Sequence, residues 1–352
     1  MTSCAPTHAP VRSIRLPLLE GAILLWTLVT TPIALLLAFG DERLLALPAL
    51  ACGPAAFILR RQPYAAGFVL VVGAAILRIA YIGWSETDPI ELSRLASNRA
   101  FSGENPYLGV YETGSAYSYG PLGLLTYRAG ILGEFLATIG TSMLLLRNRA
   151  WMTLALFGAW PLFLFSSVSG NNDYSVGFLL ILSLVVMRSR PRLGMVILAA
   201  ATAVKPYAAA WFLPAAGFAG GSAALIGGLA SVIFWSPVIV VWGIPTFVSA
   251  VQRVDAVRES IVGRFPSWAF ADLPVLRLIV VPISLAGLMV RSWPRMLLLG
   301  AAGFIVFLGF APWAHHAYLG AVVPVIGLAL ESERGRPAST EASSRKAEGS
   351  DS

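Results

Sequence analysis

Apolar and polar positions fall in long blocks along this chain rather than alternating residue by residue. Apolar runs occupy about 17–39, 44–59, 64–83, 121–146, 151–168, 174–187, 193–218, 222–243, 273–290, 296–313 and 317–330. A full bilayer crossing takes about 20 apolar residues, so the longer runs predict spanning helices and the shorter ones partial spans. The expected fold class is an all-α polytopic membrane protein, a bundle of about 10–12 transmembrane or half-membrane helices. The first run, from Leu16 to Phe39, is too long for a signal-peptide core and lacks a small-residue cleavage site; it reads as a retained anchor.

Two kinds of polar connection separate the runs. Arg12 with Arg15, Arg60 with Arg61, Arg147 with Arg149, the trio Arg188, Arg190 and Arg192, and Arg291 with Arg295 lie in short connections without an acidic residue. The positive-inside rule assigns all five to the cytoplasmic side. GDER, the stretch from Trp84 to Gly120, SGNNDY and the stretch from Ile244 to Asp272 then face outward. This parity holds only if 193–218 enters and leaves on the same side. Lys205-Pro206 lies near its middle, where proline breaks a helix, so the expected form is a hairpin of two half-length helices meeting at Lys205 in the outer part of the membrane. The resulting organisation is a cytoplasmic N-terminus (1–15), an integral membrane domain (16–330) with external segments at 84–120 and 244–272, and a disordered cytoplasmic tail (331–352), polar and Ser-rich.

Composition agrees with this organisation: hydrophobic residues make up 57% of the chain and charged residues 12%, and the mean hydropathy is +0.74. The formal charge of +7 is spread over the short connections, so it reports topology and gives no reason to invoke nucleic acid. Cys4 and Cys52 make no disulfide framework. Of the 25 basic residues only Lys205 and Lys346 are lysine. Lys346 belongs to the polar tail, whereas Lys205 interrupts an apolar run.

Charges within spans usually face a cavity or a partner, which makes Lys205 a functional candidate; the alternative is a lysine snorkelling to the interface. Asp88, after the third run and before Pro89, is placed either as a general base or as the N-cap of the next helix. ELSRLASNRAF suits a short amphipathic helix on the membrane surface, with Leu92, Leu95 and Ala96 on one side and Arg94 and Arg99 available to phosphates. Asn171, Asn172 and Asp173 form either a solvated turn or part of a site. His315 and His316 can donate to a phosphate or anchor the interface. Tyr107, Tyr117 and Tyr119 offer faces and hydroxyls to sugars. Arg78, Glu134, Arg253 and Arg258 are second-rank candidates. No phosphate-cradling glycine loop, HExxH or serine elbow is present, and no metal site or cofactor is expected.

Three segments, DPIELSRLASNRAFSGENPYLGVYETGSAYSYGPLG, SGNNDYSVGFLLILSLVV and LGMVILAAATAVKPYAAAWFLP, resemble the GT-C superfamily of membrane glycosyltransferases, with HHAYL compatible. The likeness is to glycosyltransferase family 87, the mannosyltransferases of bacterial envelopes, and more weakly to the GPI mannosyltransferases. It implies a GT-C-like bundle that moves a hexose, mannose in that family, from a polyprenyl-phosphate sugar to a lipid or glycan acceptor at the external face of the plasma membrane. Asp88 maps onto the family's catalytic base and Glu91 onto a second acid of some relatives. Asn172, Asp173 and Lys205 map onto elements lining the donor region. The chain departs from the family in being short and in placing its acidic loop after the third run rather than the first. A transporter or flippase, or a noncatalytic binder of lipid-linked sugars, is the competing expectation; transporters commonly bind at the midplane between repeated halves, and no internal repeat is evident.

Overall fold

The computed structural model describes residues 15–40, 43–82, 88–112, 114–169, 171–261, 274–310 and 316–334. Among them every regular element is helical. Four stretches, Pro17–Gly40, Pro63–Tyr81, Gly123–Arg147 and Gly221–Trp242, are long and apolar enough to cross a bilayer, and shorter apolar helices accompany them. The protein is an all-α polytopic membrane protein.

In chain order, α1 (Arg15–Leu35), α2 (Pro48–Ile58) and α3 (Pro63–Tyr81) precede the amphipathic α4 (Asp88–Phe101). The fourth apolar run divides at Gly130, whose φ of 59° suits glycine, into the short α5 (Gly123–Thr126) and the long α6 (Gly130–Arg147). The fifth divides at Trp160-Pro161 into α7 (Trp151–Ala159) and α8 (Pro161–Ser166). Then follow α9 (Tyr174–Met187), α10 (Pro191–Val204), α11 (Phe212–Ala219) after a 3-10 turn at Pro206–Trp211, and α12 (Gly221–Ser236) with a π-helical extension to Trp242. The last elements are α13 (Ile244–Ile261), α14 (Val280–Ala286), α15 (Trp293–Gly309) and α16 (Leu319–Arg334). Prolines open α2, α3, α8 and α10, where the missing N–H has no helical partner to lose.

The arginine-bearing connections are joined in two pairs, 147–149 beside 60–64 and 188–192 beside 291–295. Arg149 Nε donates to the Tyr64 hydroxyl at 2.9 Å, the Arg188 guanidinium lies 4.5 Å from the centre of the Trp293 ring, and Arg291 donates to the Gly217 carbonyl. That last bond puts the far end of α11 beside the start of α10, because Trp293 also donates to Leu184 at the end of α9. The chain therefore turns back on itself at Lys205.

Three segments differ from expectation. The stretch 244–272 is helical as far as Ile261, as α13; its mixed polarity hides an apolar stripe of Phe247, Val251 and Val254 at helical spacing. The polar tail begins later than Glu331, since α16 continues to Arg334. The Glu331 carboxylate accepts the backbone N–H groups of Met152 at 3.2 Å and Thr153 at 2.8 Å, so it caps the start of α7. Finally, α4 buries a face of small residues rather than lying free on a surface, with Ser93, Ala96 and Ser97 fully covered and the Ser97 hydroxyl donating to the Leu124 carbonyl at 2.8 Å.

Arg78, fully buried, repairs the break between α7 and α8. Pro161 has no N–H to offer the Phe157 carbonyl four residues back. Arg78 supplies the donors instead, to Phe157 O at 2.9 Å and Gly158 O at 3.0 Å, with a third to Ser167 Oγ at 2.9 Å. Its contacts are those of a structural brace. Arg78→Met should leave these acceptors unpaired and lower stability by roughly 2–5 kcal/mol, read as a fall in the unfolding midpoint of the detergent-solubilised protein.

Candidate functional site

At Lys205 the backbone is extended (φ −137°, ψ 125°), so α10 stops one residue earlier and its last carbonyls lack helical partners. The YGPL segment fills the gap: Gly120 N–H donates to Val204 O at 3.0 Å and Leu122 N–H to Ala203 O at 2.9 Å. Glycine is required here, since a Cβ at position 120 would sit 2.1 Å from the Ala203 carbonyl oxygen. This short pairing sets Tyr119 beside the lysine.

Lys205 is 2% exposed and Asp173 4%. Lys205 Nζ donates to Asp173 Oδ1 at 2.6 Å, and the Tyr207 hydroxyl donates to the same oxygen at 2.9 Å. Three aromatic rings surround the ammonium, with their centres 4.7 Å (Tyr119), 5.3 Å (Tyr318) and 5.7 Å (Tyr207) from Nζ. A buried ammonium without a counter-charge would cost several kcal/mol. The carboxylate and the ring faces together offset that penalty.

Asp173 is available because its own helix does not use it. It precedes α9 but makes no side-chain cap. Glu134, reaching across from α6, accepts the N–H of Tyr174 at 2.8 Å and of Ser175 at 3.1 Å, and the Ser175 hydroxyl as well. The Tyr127 hydroxyl holds the Asn172 carbonyl at 2.8 Å. Asn171 to Asp173 are thus buried, which excludes the solvated-turn reading.

Lys205 forms the polar end of a cavity of about 540 Å³, with Ser118, Tyr119, Tyr207 and Tyr318 around it. Its remaining walls are apolar except for Ser284, and include Val251 and Val254 of α13 and Val280 and Val281 of α14. Such a site suits an amphiphile whose polar group meets the ammonium while its hydrocarbon follows the walls.

Several expected site residues are placed elsewhere. Glu91 and Arg94 pair with each other on the exposed face of α4, with Nη2 to Oε1 at 2.6 Å, and Arg94 holds the Glu91 carboxyl below its usual range. Arg99 is engaged by Glu104 at 2.8 Å and by the Leu108 carbonyl at 2.7 Å. Tyr107 and Tyr117 turn inward, their hydroxyls donating to the carbonyls of Tyr119 and Gly120, both at 3.1 Å; burial pushes both phenols well above their ordinary pKa. They support the loop rather than line the cavity. The Asn172 amide makes one long contact, 3.4 Å, to Ser93 Oγ and does not line the cavity. Arg253 donates to the Tyr107 carbonyl at 2.7 Å, pinning α13 to the loop. Asp88 opens α4 with its side chain outside the described residues, as are the side chains of Arg258 and His316 and the whole of His315. Among the described residues no cluster of metal-ligating side chains occurs.

Tyr207 and Tyr318 escaped sequence reasoning. Tyr207 stands two residues past the lysine in KPY, and that spacing was a usable signal; Tyr318 in HHAYL is indistinguishable from an interfacial anchor. Comparison with protein-family models, with curated proteins and with solved structures finds no match to this chain.

The Lys205–Asp173 pair should behave as a unit. Lys205→Met and Asp173→Asn are each expected to lower stability by roughly 3–5 kcal/mol, because each strands a buried charge. The double variant should lose clearly less than the two losses added, as measured by a double-mutant cycle on unfolding in detergent.

Proposed function

We propose that this protein is a membrane glycosyltransferase that moves a sugar from a polyprenyl-phosphate carrier to the hydroxyl of a lipid or glycan acceptor. The observation that carries the reading is a buried lysine in a tyrosine cage, at the polar end of a largely apolar cavity. An activated donor of this class combines an anionic phosphate with a long hydrocarbon, the two chemistries that the cavity juxtaposes. The GT-C-like segments add independent support, and mannose is the sugar the resemblance favours.

The reaction is a single displacement. Asp88 takes the proton of the acceptor hydroxyl as its oxygen bonds to the anomeric carbon, and the bond from that carbon to the phosphate oxygen breaks on the opposite face. The departing polyprenyl phosphate gains negative charge. Lys205, with one of its three N–H groups on Asp173, directs the others to that charge where the surrounding apolar walls strengthen the attraction. Neither metal nor nucleotide enters these steps, and the external membrane face is the side on which the parity of the arginine clusters puts them.

Label transfer from a polyprenyl-phosphate sugar by the purified protein tests the proposal. Lys205→Met alone strands Asp173, so the informative variant is Lys205→Met/Asp173→Asn, which removes the cation without leaving a lone buried charge. It should fold and transfer label at least roughly a hundredfold more slowly. Asp88→Asn should be similarly impaired. Ordinary turnover by the folded double variant would exclude Lys205 as the phosphate partner, and ordinary turnover by Asp88→Asn would exclude that base.

A further inference from the structure

Glu134 lies within α6, fully buried, and makes no salt bridge among the described residues. Both carboxylate oxygens go to the first turn of α9. Oε2 accepts the Tyr174 and Ser175 N–H groups at 2.8 and 3.1 Å, and Oε1 accepts the Ser175 hydroxyl. An aspartate directly before a helix ordinarily does this itself, from extended backbone, by accepting the second or third N–H of the helix. Asp173 instead has a helical backbone (φ −100°, ψ −19°), makes no cap, and sends its carboxylate to Lys205 and Tyr207. One carboxylate caps a helix that another precedes.

We infer that Glu134 is a positioning residue for Lys205: by capping α9 from a neighbouring helix it removes the bonds that would draw Asp173 onto its own helix, and so keeps Asp173 on the ammonium. Without Glu134, two backbone N–H groups at the start of α9 are orphaned in a water-free interior, where each is costly. The carboxylate nearest in sequence is Asp173. Its turn toward the Ser175 or Val176 N–H leaves Lys205 with ring faces alone. The inference rests on helix-end geometry and goes beyond the proposed sugar transfer, which it does not require.

The scarcity of lysine makes the test direct. In a Lys346→Arg background Lys205 is the sole lysine. Its rate of reductive methylation by formaldehyde and cyanoborohydride is read on the isolated peptide by mass spectrometry, with the protein in detergent micelles. Glu134→Ala should raise that rate roughly tenfold, the weight of one helix cap. Glu134→Gln, whose amide oxygen accepts the same N–H groups, should stay near the parent. Asp173→Asn should raise the rate as far as Glu134→Ala does, and combining the two should raise it no further. An unchanged rate in Glu134→Ala beside a lowered unfolding midpoint would overturn the inference and reduce Glu134 to a helix cap; an additive rise in the double variant would overturn it as well. Should Glu134→Ala fail to fold, Glu134→Asp, with the same charge on a stem too short to reach, is held to the same outcomes. A parent that transfers no sugar leaves the labelling result standing, so failure of this inference and failure of the proposed reaction are told apart.

Discussion

A helix interrupted inside a bilayer leaves peptide groups that no water reaches, and each must find a partner within the protein. This chain interrupts its helices repeatedly, and at each of five helix ends the partner comes from a distant element. Arg43 donates to the Ala80 carbonyl at the end of α3 at 2.6 Å, and Arg78 braces the end of α7. Glu331 caps the start of α7 and Glu134 the start of α9. The YGPL loop satisfies the end of α10. The candidate site follows from the last two. One exchange releases Asp173 and the other carries Tyr119 to the lysine, so the polar end of the cavity is a by-product of closing two helix ends.

These long-range partners also mark the limit of what one sequence reveals. Apolar run length is local information, and the run at 174–187 coincides with α9 while 44–59 contains α2. The break at Lys205-Pro206 was equally legible, since proline acts on its own four-residue neighbourhood. Arg78 and Glu134 stood out as charges within spans, but nothing nearby names a carbonyl of residue 157 or an N–H of residue 174 as their target. Asn171 to Asp173 also read as a solvated turn, because burial there depends on Glu134 and Tyr127, some 40 residues away. Arg94 and Arg99 have ion-pair partners close in sequence, the acids at 91 and 104.

Pairing changes what the lysine can do. An isolated buried ammonium would attract any anion strongly, and a lysine free to snorkel would offer little selectivity. Tied to Asp173, the pair carries no net charge, and a visiting phosphate competes with an anion already in place. Dianionic character in the visitor therefore matters more than a single charge, because only the larger charge outweighs the fixed carboxylate at comparable distance. In the proposed reaction the leaving phosphate would gain that character as the glycosidic bond breaks. The pair is thus better suited to a charge that develops during reaction than to one present throughout, which is the differential a catalyst needs.

The same geometry bears on the transport alternative. Alternating access needs a site that opens in turn to either side, commonly near the midplane between repeated halves. Here the polar groups lie at the tip of the α10–α11 turn, and beyond them toward the arginine-bearing end α11 is packed without slack: a Cβ on Gly217 would sit 2.3 Å from the Gly287 carbonyl oxygen, and one on Gly287 would fall 2.7 Å from the Pro214 nitrogen. Arg291 adds a bond to the Gly217 carbonyl. Opening a passage past Lys205 in that direction would require separating backbones in direct contact. Close backbone packing on that side is harder to reconcile with translocation past Lys205 than with the proposed transfer.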